Sequence, residues 1–304
     1  MKISVQGIKV GHYTDEKNLT GCTVILCPEK TVASCEARGS SPASRELILL
    51  SPEKQMQEVN AVFLTGGSAF GLGAANGVMQ YLVDHQLGYQ TPWTRVPIVP
   101  SAVIFDLNVG SNTVFPLPEN AYAACESAGE EIISGRAGAG TGATIGKWGG
   151  ITNAMKGGFG AASITVNGTS VDAFAVVNAV GDVVDEKGNI LAGARSGGKF
   201  LAEQHSWRMQ EERLILRNIN TTLVVIATNA KLSKVDVFRV AQRGHSGMAR
   251  SIVPCHTTFD GDVCFVLSAG EAEASVDFVS ELGAEAAARA VRNAVCASNN
   301  LPEP

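Results

Sequence analysis

Thr221-Thr222-Leu223-Val224-Val225-Ile226-Ala227-Thr228 is a continuous apolar run bounded by polar residues. A strand with no polar face has to be covered on both sides, so this segment belongs at the centre of a layered structure. The preceding stretch, residues 196–220, has the opposite texture, with Glu203-Gln204-His205-Ser206-Trp207-Arg208 as its most polar part. It reads as a mobile surface connection. An exposed segment thus runs abruptly into a buried strand, and Asn220-Thr221 is the junction.

The rest of the chain fits one large α/β domain. Its 304 residues are 45% hydrophobic and 17% charged, with 33 glycines, which excludes disorder, collagen and coiled coil. The net charge is −5, and the basic neighbourhoods at 208–217 and 239–250 are broken by acids or apolar residues. A nucleic-acid partner is not expected. No apolar run reaches about 18 residues, so no membrane span is expected. Met1 to Val5 looks like a strand and not a signal peptide, which places the chain in the cytoplasm. The seven cysteines form no Cys-x-x-Cys pair and read as buried free thiols.

Short strands are expected within residues 1–36, at Val59 to Leu64 and at Ala102 to Leu107. Gly66-Gly67-Ser68-Ala69-Phe70 follows the second of these and leads into a helix carrying Leu72, Ala75, Val78 and Leu82. Glu119 to Ile133 reads as helix, and residues 136–160 as glycine-rich loops with close backbone approaches. Ala161 to Val184 reads as strands with turns at Asn167-Gly168 and Gly181-Asp182. Ser233 caps a helix with Asp236 three residues on, and Thr257 to Ser268 reads as a strand containing Asp260-Gly261-Asp262. A last helix presents Val276, Val279, Leu282, Ala286, Ala290 and Ala294.

Familiar cofactor motifs fail on inspection. Gly138-Ala139-Gly140-Thr141-Gly142-Ala143 fits a dinucleotide fingerprint in spacing, but a helix precedes it where a strand is needed, and no acid lies near position 160. The stretch ending Gly146-Lys147 lacks the first P-loop glycine and has Trp148 where magnesium needs Ser or Thr. The five histidines are scattered, so no metal is expected and no cofactor is called for. Cys255 and His256, read as neighbours on one strand, point to opposite faces and do not make a nucleophile and base.

Asn220-Thr221 remains. A hydroxyl at the mouth of a buried strand, behind an exposed segment, suits a chain that cuts itself. The threonine oxygen attacks the carbonyl before it, and cleavage frees an α-amine with an ordinary pKa of about 7.7 to 8 that can then serve as base. From the residues alone a second reading stays open, in which Thr221 and Thr222 are ordinary strand residues after a turn. Likewise Lys147 could be a surface lysine and Asp260-Gly261-Asp262 a hairpin turn.

The sequence resembles the family of L-aminopeptidase/D-amidase-esterases, self-processing hydrolases that include β-peptidyl aminopeptidases and a nylon-oligomer amidase. The matching stretches are Val10-Gly11-His12, Thr20-Gly21-Cys22-Thr23-Val24, Gly66 to Leu72, Gly140 to Lys147, Val177 to Val183, Asn220-Thr221-Thr222 through Thr228, and Asp260-Gly261-Asp262. They occur in one order over most of the chain. The resemblance implies a single four-layer αββα sandwich of the N-terminal-nucleophile-hydrolase type. It implies cleavage between Asn220 and Thr221 into fragments 1–220 and 221–304 that stay folded together.

The resemblance also assigns roles. Thr221 matches the nucleophile, Asn178 the side-chain amide that donates to the oxyanion, and Lys147 a lysine near the nucleophile whose charge lowers the amine pKa. Asp260 and Asp262 match a polar pair that orients the terminal threonine. Gly66, Gly67, Ser68, Ala69 and Phe70 help line the substrate pocket. The aspartate pair sides with the threonine members and departs from the Ser and Glu of β-aminopeptidases. Arg38 to Ile48 departs too, in a region where more glycine and an aspartate near Ile48 are expected. The function implied is hydrolysis of small amides, esters or N-terminal residues through an acyl-enzyme, by a homo-oligomer of cleaved units. The competing functions are an acyl transferase of the ornithine-acetyltransferase type and a catalytically silent binding protein that stays uncut.

Overall fold

The computed structural model describes residues 1–204 and 219–302. The expected mobile connection therefore lies mostly outside the described residues. The core is built from β1 (Lys9–Asp15), β2 (Thr20–Leu26), β3 (Val32–Ala37), β4 (Ser44–Arg45), β5 (Ala61–Thr65), α1 (Ala75–Asp84), β6 (Ser101–Val103) and α2 (Pro118–Glu126). It continues with β7 (Gly158–Val166), β8 (Thr169–Asn178), β9 (Thr221–Ala230), α3 (Lys234–Ser251), β10 (Val263–Ala272) and α4 (Val276–Ser298).

Two five-stranded sheets pack face to face, one ordered β1-β2-β5-β6-β4 and the other β7-β8-β9-β10-β3. Alternation along β9 shows why. Leu223, Val225 and Ala227 join Phe174, Val176, Phe265 and Leu267 against Ile25, Val62 and Leu64 of the facing sheet. Val224 and Ile226 turn the other way onto Val237, Val240 and Met248 of α3 and Ala286, Ala290 and Ala294 of α4. On the far side, Cys22, Val24 and Phe63 pack on Val78 and Leu82 of α1 and Ala121, Ala124 and Cys125 of α2. The layers are therefore αββα, as the resemblance implies, and the continuous apolar run is buried on both faces because a layer lies on each.

Local signals account for several boundaries. Asn167 and Gly168 both take positive φ in the tight turn between β7 and β8. Ser233 Oγ accepts from the Asp236 N–H at 3.2 Å and donates to its carboxylate at 2.6 Å, which starts α3 where expected. All seven cysteines are free.

Other boundaries differ. The helix expected over 119–133 ends at Glu126, because residues 129–132 bond instead to the amino-terminal segment, with Ile3 N donating to Glu130 O at 2.9 Å. The strand expected at 102–107 is the three residues of β6, beyond which the backbone turns to present Asp106 to the loop at Gly67. Asp260 to Asp262 precede β10 and do not belong to it.

Candidate active site

The antiparallel register of β8 and β9 sets Asn178, the last residue of β8, directly opposite Thr221, the first of β9. Two residues 43 apart in sequence (221 − 178) thus meet at one end of the central sheet. Thr221 is 7% exposed, and its Oγ donates to the Asn220 carbonyl at 2.6 Å. The hydroxyl of Thr221 and the carbonyl that precedes it are thus in contact.

Lys147 opens a short 3₁₀ turn (Lys147–Gly149) entered through Gly146 at φ 72. Its side chain is buried, which overturns the surface-lysine reading. The ammonium is a cation in the interior and needs acceptors. It finds the Asn178 side-chain Oδ1 at 2.8 Å, the Asn178 backbone carbonyl at 3.0 Å and the Ile219 carbonyl at 3.2 Å. Burial pushes its pKa down to about 7, with the Asp260 charge pulling the other way. An amine with a pKa near 7, bonded to the Ile219 carbonyl beside Asn220, can accept or return a proton near neutral pH.

Because Lys147 takes Oδ1, the Asn178 amide nitrogen faces the junction. Nδ2 donates to Ile219 O at 3.0 Å and to Phe105 O at 3.3 Å. It therefore reaches the carbonyl one residue before that of Asn220. Asn220 O accepts instead from the Gly261 N–H at 2.8 Å.

The two aspartates flank that glycine. Asp260 is buried, and its carboxylate accepts from Val180 N at 3.3 Å, Thr257 N at 2.9 Å and Thr257 Oγ1 at 2.6 Å. Burial raises its pKa and the neighbouring Asp262 raises it further, against those hydrogen bonds. Asp262 Oδ1 accepts from Thr222 N at 2.6 Å. Asp262 thus reaches the start of β9 from a loop, and its bond there is to Thr222 N and not to Thr221.

Behind Asp262 stands His256, which takes a left-handed φ of 57. Its Nδ1 lies 2.8 Å from Asp262 Oδ2, and its Nε2 lies 3.3 Å from His245 O. A ring with an acceptor at both nitrogens is a donor at both, the imidazolium form. Burial works against that charge, yet the hydrogen bond and charge of Asp262 outweigh it and raise the His256 pKa. The backbone here is not the strand assumed from sequence, so Cys255 and His256 do not point apart. Cys255 Sγ sits 3.5 Å from His256 Nδ1. Burial and the charges of Asp262 and Asp260 raise the thiol pKa well above its usual value, which keeps it from acting as a thiolate nucleophile. Donor atoms of Cys255, His256 and Asp262 lie within 4.8 Å of one another, a grouping the scattered histidines did not suggest.

Gly66 to Phe70 reach the junction through two intermediaries. Gly67, at φ 81 after β5, donates its N–H to Asp106 Oδ1 at 2.7 Å, and Thr20 Oγ1 donates to Oδ2 at 2.7 Å. The preceding Phe105 carbonyl is the one bonded by Asn178. Ser68 N donates to Ile104 O, and Phe70 is 65% exposed, stacked on Phe115 at 5.1 Å. Among the described residues, no hydrogen bond joins this loop to Thr221 itself. Its place beside the site is one residue removed, through Phe105 and Asp106.

From sequence, Gly261 carries no role of its own, and His256 is considered only beside Cys255, where it is set aside. The one available signal was the glycine inside Asp-Gly-Asp, which marks a close backbone approach.

Layered fold and site together define a hydrolase with the N-terminal-nucleophile fold. The structure superposes on the L-aminopeptidase D-Ala-esterase/amidase of Ochrobactrum anthropi, described as a variant of that fold, with a TM-score of 0.74 at 18% identity over 97% of this chain and 85% of that one. Residues 3–303 match peptidase family S58, and the chain belongs to that family. It is similar to an uncharacterized aminopeptidase of Mycobacterium leprae, 39% identical over 98% of this chain and 90% of that protein. It is also similar to a 6-aminohexanoate-oligomer endohydrolase of Kocuria sp., 33% identical over 89% of this chain and 75% of that protein. The chain is accordingly a peptidase or amidase by class.

Proposed function

We propose that the chain cuts itself between Asn220 and Thr221 and then hydrolyses small amides, esters or N-terminal residues through an acyl-enzyme on Thr221. The contact between Thr221 Oγ and the Asn220 carbonyl, 2.6 Å at the head of a buried strand, carries this reading. In the uncut chain Thr221 has no free amine, and the neutral form of Lys147 accepts the hydroxyl proton. After cleavage the Thr221 α-amine takes over as base, with Lys147 holding its pKa down by charge. Asn178 holds the chain entering the site at Ile219 O, and Asp260 and Asp262 fix the ends of the neighbouring loop.

Residues 1–220 and 221–304 would remain one body after the cut, because β9 and β10 lie inside a sheet whose other strands come from the first fragment. Cleaved units associating as a homo-oligomer in the cytoplasm complete the proposal, on the strength of the family resemblance. The substrate class rests on the same ground: an aminopeptidase and a hydrolase of amine-bearing oligomers are among the relatives.

A panel of aminoacyl amides and esters, including β- and D-amino acids, tests the proposal. Native protein is expected to release free amino acid, and Thr221→Ala to release none. A protein that binds these compounds without hydrolysing any, or that transfers the acyl group to an amine much faster than to water, contradicts it.

A further inference from the structure

Attack on the Asn220 carbonyl moves negative charge onto its oxygen, and among the described residues that oxygen accepts from two donors. One is Thr221 Oγ at 2.6 Å, the other the Gly261 N–H at 2.8 Å. Thr221 Oγ is the attacking atom and gives up its proton as it attacks, so it cannot remain a donor. Asn178 Nδ2, the donor that family resemblance suggests, is engaged one carbonyl earlier, at Ile219 O. We propose that the backbone N–H of Gly261 is the oxyanion donor for cleavage of the Asn220–Thr221 bond. When the first fragment's end has withdrawn, the same N–H receives the substrate carbonyl. This inference rests on Thr221 being the nucleophile.

The donor is held in place from behind. In a trans peptide the C=O and N–H of one plane point in opposite directions. The plane joining Asp260 to Gly261 is bonded on both sides: Ser41 N donates to Asp260 O at 3.1 Å, and Gly261 N donates to Asn220 O at 2.8 Å. The next carbonyl, Asp262 O, accepts from Arg38 N at 3.0 Å and Gly39 N at 3.2 Å. Residues 38–41 thus clamp the loop by its carbonyls and leave the Gly261 N–H aimed at Asn220 O. A donor that need not reorient as charge develops is the kind that lowers a barrier.

Glycine is required there by space. A Cβ at 261 would stand 2.6 Å from Ser41 O and 2.8 Å from Thr221 Oγ1. No side chain fits between the nucleophile and the clamp.

The chemistry balances as follows. The Thr221 Oγ electron pair forms a bond to the Asn220 carbonyl carbon as the hydroxyl proton leaves to the base, and the C=O pair becomes the oxyanion on Gly261 N–H. Collapse restores C=O, breaks the C–N bond and protonates the departing Thr221 nitrogen. The resulting ester is cut by water, which gives Asn220 a carboxylate and returns the proton to Thr221 Oγ.

Backbone esters test this directly. A chain made by cell-free translation with glycolic acid at position 261 loses the Gly261 N–H and, as an ester, also weakens the Asp260 carbonyl as an acceptor, a change that a second chain isolates. Its self-cleavage is expected to be slower by roughly 10²- to 10³-fold. A second chain, with the hydroxy-acid counterpart of serine at position 41, loses the N–H that pins Asp260 O. It is expected to cleave about tenfold slower, with the plateau rate falling and the pH midpoint unchanged. Far-ultraviolet circular dichroism and thermal unfolding establish that each chain is folded. If either chain is folded and cleaves at the native rate, the assignment is overturned. If the native chain does not cut at Asn220–Thr221, the underlying reading of Thr221 fails instead.

Discussion

Lys147 Nζ lies 2.8 Å from Asn178 Oδ1, and together with the Thr144 N–H, 3.0 Å from the same oxygen, it sets which end of the amide faces Ile219. An ammonium and a backbone N–H only donate, so the oxygen turns toward them and the nitrogen toward the Ile219 carbonyl. The same contact draws the Lys147 ammonium into a buried site, which is what brings its pKa down to about 7.

A pH dependence follows. Lys147 is neutral above about pH 7 and charged below it, so self-cleavage is expected to rise with pH through that value and level off. Lys147→Arg cannot lose its proton near neutrality and is expected to cleave roughly 10²- to 10⁴-fold slower, without the rise. Asn178→Asp would place a carboxylate against the ammonium and move the midpoint upward. Freshly synthesised chains sampled over time on denaturing gels at several pH values measure all three.

His256 holds Asp262 by a charged hydrogen bond at 2.8 Å. Losing it is worth about 1.5 to 3 kcal/mol, so His256→Gln is expected to slow turnover by roughly 10- to 100-fold. A group whose pKa is raised by folding stabilises the fold fully below its unfolded value, near 6.5, and ceases to as pH rises through the folded value. The difference in Tm between native and His256→Gln protein should therefore be larger at pH 6 than at pH 9. Equal differences at both would contradict the ion pair.

Lys234 ties the start of α3 to the segment after Leu47. Only 3% exposed, it donates to the carbonyls of Leu49 at 3.0 Å, Lys54 at 3.1 Å and Met56 at 2.6 Å. Lys234→Met leaves those acceptors without their donor, at a cost of about 1 to 3 kcal/mol. A lower denaturation midpoint with an unchanged cleavage rate is the expected result, because none of these groups touches the junction.

Legibility in the sequence divides along physical lines. The two-sided burial of β9, the turn at Asn167-Gly168 and the cap at Ser233 were readable because their causes lie within a few residues. The burial of Lys147 was not, since its acceptors come from residues 178 and 219 and only the fold brings them near. Asp260 and Asp262 enter through the resemblance, and the strand expected for them is instead a loop: the carboxylate contacts of Asp260 to Thr257 wind that segment into a turn before β10 begins. His256 is set aside from sequence because the left-handed φ that turns it toward Asp262 leaves no mark in hydrophobic patterning at a non-glycine residue.

Mass spectrometry and amino-terminal sequencing of the purified, active protein test the central claim most directly. Two fragments are predicted, the second beginning Thr221-Thr222-Leu223-Val224, and Thr221→Ala should yield one intact chain without activity. Full activity in a chain still joined between Asn220 and Thr221 would contradict the account.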